Sequence, residues 1–260
     1  MKSVLKNQQT KKLRCFALEG WVYSMIGIIG AMEVEVEGLK EKLRDLSIDR
    51  VGMLEFSTGT LCGVECVIAR CGVGKVNAAM CAQTMILRYA PSVVLNTGVA
   101  GGMGKGIAIG DLVVAENVVQ HDMDTSAVGD PKGFLSGIDQ VFIPCWKPLV
   151  TLIQETAQSG EFPPCHLGTV ATGDQFINNR ETLKRLREEF GAAACEMEGG
   201  SIGQVCVSNR VPFAVIRAIS DNADDDSHMD YQEFVGPAAQ TSIRLVESLV
   251  KRLGQMEEIK

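Results

Sequence analysis

The sequence predicts an α/β protein, a three-layer α/β/α domain built on a central mixed sheet. Three observations carry this. Apolar runs of strand length alternate with segments of helical periodicity from Met25 to the C-terminus. Two runs, VGMLEFSTGTL and VECVIARCG, flank Cys62 and Gly63 as a hairpin would, which makes one part of the sheet antiparallel. The polar and glycine-rich segments GAMEVE, NTGVAGG, TGDQF and SDNAD each follow the carboxyl end of a strand, the edge where open α/β sheets bind ligands.

Taken in order, Met25–Gly30 is a short apolar strand that leads into a helix beginning near Glu33, with Val34, Leu39 and Leu43 on its inner side. After the hairpin, a helix over 75–89 places Ala78, Ala82, Met85 and Leu87 or Tyr89 inward. Pro91 then opens the strand SVVLNTGVAGG. Residues 111–119, DLVVAENVV, form the next strand, and the segment that follows, QHDMDTSAVGDPKGFLSG, is too long for a simple turn and reads as functional or disordered. Helices are expected near 147–157 and 179–189, the second capped by Asn178 or Asn179 with Glu181 in its first turn, and LGTVATGDQF lies between them as a strand and exit loop. The run VPFAVIRAIS reads as a strand covered on both faces, although it carries Arg217 and ends at Ser220 and Asp221. A helix over 230–256 closes the chain, with Leu245, Leu249 and Leu253 inside.

The 260 residues suit one domain over 25–260, and no repeat of roughly 20 to 50 residues is present. Residues 1–24 are polar and basic, lack the apolar segment of a secretory signal, and read as an extension or an upstream start. A net charge of −7 with no basic cluster argues against nucleic acid as a partner, and no apolar run reaches the roughly 20 residues of a membrane helix. The nine cysteines are dispersed and form no CxxC pair, so reduced thiols in a cytoplasmic protein are expected.

Several familiar motifs fail on their spacing. GIIGAME lacks the third glycine of a dinucleotide fingerprint. CGVGKV has Ala69 and Val76 where a phosphate loop needs Gly and Ser or Thr, so Gly72 and Gly74 read as a tight turn before a helix. DNADDDSHMD places Met229 and Val235 where a calcium loop needs Gly and Glu. His121, His166 and His228 are far apart, so no metal is expected. Three carboxylates are left: Glu35 beyond a glycine turn, Glu198 at a helix start after AAAC, and Asp221 at the end of an apolar strand. Singly, each has an ordinary explanation as a helix cap, a helix-start charge or a solvated side chain. Together on one sheet edge they read as a site.

GIIGAMEVEVEGL, GVGKVNAA, NTGVAGG, GDLVVAE with HDMD, TGDQFIN, EMEGGSI and VPFAVIRAISDNAD resemble, in order, the signatures of the 5′-methylthioadenosine/S-adenosylhomocysteine nucleosidases of the nucleoside phosphorylase superfamily. The resemblance runs from Met25 to the final helix. It implies a nucleoside phosphorylase-like fold and cofactor-free hydrolysis of the N-glycosidic bond, yielding adenine and a thioribose. By position it implies that Asp221 protonates N7 of the departing adenine, Ser220 orients Asp221 or the base, and Glu35 deprotonates the attacking water, with Arg217 nearby. Glu198 would bind the ribose hydroxyls and Met197 would pack under the sugar. Phe176 would stack on the base and Ile177 would read it through its main chain. Met32, Val73 and Tyr231 would line the ribose and 5′-alkylthio pocket, and Gly101 would be a further substrate-binding residue. A homodimer is implied, in which the segment after HDMD lines the neighbour's 5′ pocket, and the apolar Val113–Val119 region is compatible with an interface.

This assignment fits the chemistry, because bond cleavage leaves negative charge on the base and positive charge on the ribose, so an acid serves the leaving group and a base serves the water. Asp221 needs burial or a proton shared with the purine to act as an acid near neutrality, and a helix start would keep Glu198 ionised. Two departures stand out: Val99 replaces the Ser of NTGSAGG, and DTSAVGDPKGFLSGIDQVFIP replaces a more aromatic segment. The rivals are a purine nucleoside phosphorylase, an aminodeoxyfutalosine nucleosidase and a non-catalytic purine-binding protein.

Overall fold

The computed structural model describes residues 25–159 and 161–258, and the expectation about residues 1–24 lies outside them. The chain runs β1 (Ile26–Gly30), α1 (Glu33–Lys40), β2 (Arg44–Val51), β3 (Leu54–Leu61), β4 (Val64–Arg70), α2 (Lys75–Tyr89), β5 (Val93–Gly102), β6 (Leu112–Gln120), a 3₁₀ turn (Ser126–Val128), β7 (Ile143–Pro144), α3 (Lys147–Ser159), β8 (Cys165–Thr172), α4 (Arg180–Phe190), β9 (Ala192–Glu196), α5 (Gly199–Ser208), β10 (Phe213–Asp221) and α6 (Ser227–Glu258).

All ten strands join one mixed sheet. β1 lies parallel to both β4 and β5, and β3 runs antiparallel between β2 and β4. The other half closes on itself, because β5 pairs with both β10 and β9 and the ring is completed through β6 and β8. The sequence pattern does not announce this closure, since it depends on which distant strands pair. Helix α6 lies on β10 and β5 and touches α1 and α3, while α2 and α5 pack against each other in the second helical layer.

Every residue of β5 and of β10 is buried, as strands inside such a sandwich must be. Their polar groups are therefore paired: Asn96 Nδ2 donates to the Ile29 carbonyl at 3.0 Å, and the Thr97 and Ser242 hydroxyls lie 2.6 Å apart. Helix ends follow local chemistry. Asn179 accepts the Thr182 N–H at 2.8 Å to start α4, and Gly191 ends it in the left-handed region with φ of 62°. Leu245, Leu249 and Leu253 are fully buried along α6.

Some expectations need correction. In α1, Val36 is the fully buried valine, Val34 is only half-buried, and the helix stops before Leu43. Leu87 on α2 points to solvent, while Tyr89, the alternative, packs partly buried against the core beside an inner face of Ala78, Cys81, Ala82 and Met85. The run 51–61 turns at Gly52–Met53 and so belongs to two strands. Val113, Val114, Val118 and Val119 are wholly buried in β6, so the sheet interior accounts for their apolarity and no interface is needed.

Candidate active site

The carboxyl ends of β1, β4, β5, β8, β9 and β10 surround one pocket of about 290 Å³, which is the scale of a small-molecule site. Met32 and Glu35 follow β1, Val73 follows β4, and Val99 to Gly101 lie within β5. Phe176 and Ile177 follow β8, Met197 and Glu198 follow β9, Ser220 and Asp221 end β10, and Tyr231 comes from α6. Eleven of the twelve residues expected from the sequence thus meet in one cavity; Arg217 does not line it.

Glu35 is 4% exposed and is held by three backbone donors. Ala31 and Met32 N–H groups donate to Oε2 at 2.7 and 2.9 Å, and the Val99 N–H donates to Oε1 at 2.9 Å. Val99 thus lacks a hydroxyl but its main chain fixes the carboxylate. Gly98 makes room for it, since a Cβ there would lie 2.8 Å from the Glu35 carboxyl carbon. Burial pushes the Glu35 carboxyl above its ordinary range, against the pull of the Arg217 charge and of the backbone donors.

Asp221 is 2% exposed at the end of β10. Register with β5 shifts between Ile219 and Asp221, a bulge of the kind that re-aims side chains next to functional sites. The Ser220 hydroxyl donates to Asp221 Oδ2 at 2.9 Å, and the Ala223 N–H donates to Oδ1 at 3.0 Å. Gly101 faces it, and a Cβ there would come 2.9 Å from Oδ1. Burial raises the Asp221 carboxyl although both hydrogen bonds oppose it, which favours a proton held for transfer.

Glu198 stands at the N-cap of α5, and its Oε1 accepts the Gly74 N–H at 2.9 Å. The expectation that the helix start keeps it ionised is not met. Burial, with the charges of Glu196 and Glu35 adding to it, pushes its carboxyl up to about 8, against the Arg217 charge and the Gly74 N–H. The helix terminus already has an acceptor: Glu196 Oε2 takes the N–H groups of Glu198 and Gly199 at 3.0 and 2.7 Å.

Glu196 is the residue that sequence reasoning missed, although it stands two positions from Glu198 in EMEGG. Its carboxylate also accepts from the Thr172 hydroxyl and from the Arg217 guanidinium, an ion pair buried on both sides. Arg217 bonds Asn96 Oδ1 as well. It is therefore a cation behind the pocket wall, between Glu196 and Asn96, close enough for its charge to act on Glu35. Phe176 is 44% exposed and meets Tyr231 edge-on at 5.5 Å, and the Tyr231 hydroxyl contacts Met32 Sδ at 3.1 Å. Ala31, Ala100, Gln175, Cys195 and Glu196 itself complete the lining, and no residue of 120–144 reaches it. Among the described residues no group of three His, Cys, Asp or Glu side chains could hold a metal ion.

The family model described as Phosphorylase superfamily matches residues 25–251. A 5′-methylthioadenosine/S-adenosylhomocysteine nucleosidase from Shewanella halifaxensis is 41% identical over 229 residues, covering 88% of this chain and 99% of its own. The chain belongs to the 5′-methylthioadenosine/S-adenosylhomocysteine nucleosidases of the phosphorylase superfamily. Among solved structures, the nucleosidase from Neisseria meningitidis in complex with methylthio-immucillin-A has a TM-score of 0.85 at 33% identity, with 88% of this chain and 99% of that chain covered. Futalosine hydrolase from Helicobacter pylori has a TM-score of 0.84 at 37% identity, with 88% and 98% covered. The chain thus covers nearly the full length of each of these relatives.

Proposed function

We propose that this nucleosidase hydrolyses the N-glycosidic bond of 5′-methylthioadenosine and S-adenosylhomocysteine, releasing adenine and the thioribose. The observation that carries the mechanism is the convergence of three buried carboxyl groups, Glu35, Glu198 and Asp221, on one small pocket. Asp221, with its raised carboxyl, gives its proton to adenine N7 as the C–N bond breaks. Glu35, fixed by three N–H groups, takes the proton of the attacking water. Glu198 accepts from the ribose hydroxyls beside a sugar that becomes cationic, and Met197, Phe176 and Ile177 enclose sugar and base. Ser220 keeps Asp221 oriented.

Water is favoured over phosphate as nucleophile because none of the lining residues is Lys or Arg. The nearby guanidinium of Arg217 is already engaged by Glu196 and Asn96, and the Glu35 carboxylate, ionised to act as base, would repel an anion. A second reading, hydrolysis of a futalosine-type nucleoside in the same pocket, is supported by the likeness to the Helicobacter pylori futalosine hydrolase. We assign the protein to the cytoplasm, in keeping with the free thiols of its described cysteines, and to a homodimer in which the partner's 120–144 segment, with Val128 81% exposed, completes the 5′ pocket. The mechanism is tested by Asp221→Asn: adenine release is lost while nucleoside binding survives. Equal turnover by variant and parent would remove Asp221 from the reaction.

A further inference from the structure

Helix α2 begins at Gly74, which has no side chain to cap it, and its first turn carries no acidic residue. The free N–H groups of a helix start still need acceptors. Two remote carboxylates supply them. Glu198 Oε1 takes the Gly74 N–H at 2.9 Å, and Asp174 Oδ1 takes the Lys75 N–H at 2.7 Å. Asp174 belongs to the loop after β8, directly before Gln175, Phe176 and Ile177, which line the pocket.

Asp174 is held in turn. Its N–H donates to Asp122 Oδ2 at 2.9 Å, and Asp122 Oδ1 accepts from Lys75 Nζ at 2.7 Å. Lys75 Nζ also reaches Gln120 Oε1 at 3.3 Å. The bonds form a closed ring from Lys75 to Asp174 to Asp122 and back. The Lys75 and Asp122 side chains are only 19% and 21% exposed, so solvent screens this pair less than an open surface bridge. None of the three residues lines the pocket, so any effect on the reaction passes through others.

We propose that Lys75, Asp122 and Asp174 are positioning residues that fix the loop carrying Phe176 and Ile177 against the same helix end that holds Glu198. One helix start thereby sets the distance between the base-side wall and the sugar-side wall. The proposal rests on the nucleosidase reading for the identity of the ligand, but the loop placement itself does not.

The test compares Lys75→Met, Asp174→Ala and Asp174→Asn with the parent, by steady-state hydrolysis of 5′-methylthioadenosine and by amide hydrogen exchange of residues 175–178. Lys75→Met and Asp174→Ala should raise KM by roughly tenfold or more with kcat nearly kept, and should speed exchange in the loop. Asp174→Asn, which keeps the Oδ1 acceptor, should restore both. A lowered melting temperature with unchanged KM and unchanged loop exchange would reduce the ring to a helix cap and overturn the proposal. Should the parent fail to hydrolyse the nucleoside, the nucleosidase reading falls, and the exchange data alone still decide whether the ring holds the loop.

Discussion

Gly98 lies against the Glu35 carboxyl group so closely that a Cβ at that position would sit 2.8 Å from the carboxyl carbon. The backbone of β5 therefore forms the floor on which the Glu35 carboxyl group, the base proposed for the attacking water, rests. Gly98→Ala should displace Glu35 from its three N–H donors and lower kcat by about a hundredfold, the lower end of what a positioned general base contributes. Since the strand around it stays wholly buried and paired, far-UV circular dichroism should be unchanged. Normal kcat in a folded variant would show that Glu35 need not occupy this place.

The Glu196–Arg217 pair makes a different prediction, about stability. Both side chains are buried, and Glu196 also holds the start of α5. Glu196→Gln removes the charge opposite Arg217 while nearly keeping volume, and breaking a buried pair on one side costs about 3–5 kcal/mol. Urea denaturation should show a loss of that order. A loss below about 1 kcal/mol, the value of an exposed pair, would mean that Arg217 finds other compensation.

Protonation of Glu198 should be visible in the pH dependence of the ligand-free protein. Its carboxyl is raised in the fold to about 8 from an ordinary value of 4.5. A raised carboxyl binds its proton more tightly folded than unfolded. Its contribution is therefore fully present below the unfolded value and is lost as pH rises through the folded one. Between pH 6.5 and 8.5 stability should fall by on the order of 1–2 kcal/mol, at about 1.4 kcal/mol per unit while the group stays protonated. Glu198→Gln should flatten that fall, and denaturation midpoints of the two proteins at matched pH values provide the check. An equally steep fall in Glu198→Gln would place the titration elsewhere.

Which features were legible in the sequence follows from how local their causes are. β1, β5 and β10 announce themselves because a strand covered on both faces must be apolar throughout. The edge strand β2, RDLSIDRV, is almost wholly exposed, so no burial signal marks it. β9, AAACE, reads by propensity as readily as helix, and only pairing with β8 and the end of β5 makes it a strand. Asp221 was legible because charge at the end of an apolar strand is conspicuous, Glu35 because it follows a glycine turn, and Glu198 because it opens a helix after the apolar AAAC. The role of Glu196 was not, because it depends on Arg217 and Thr172 arriving from distant strands. Lys75 likewise read only as the first residue of a helix, since its partners Asp122 and Asp174 lie far along the chain.

The identity of the nucleophile is the centre of the account, and product analysis in phosphate-free buffer addresses it most directly. With 5′-methylthioadenosine as substrate, the pocket geometry predicts full release of adenine together with free 5-methylthioribose, at a rate indifferent to added phosphate. A strict phosphate requirement with a sugar 1-phosphate as product would contradict it.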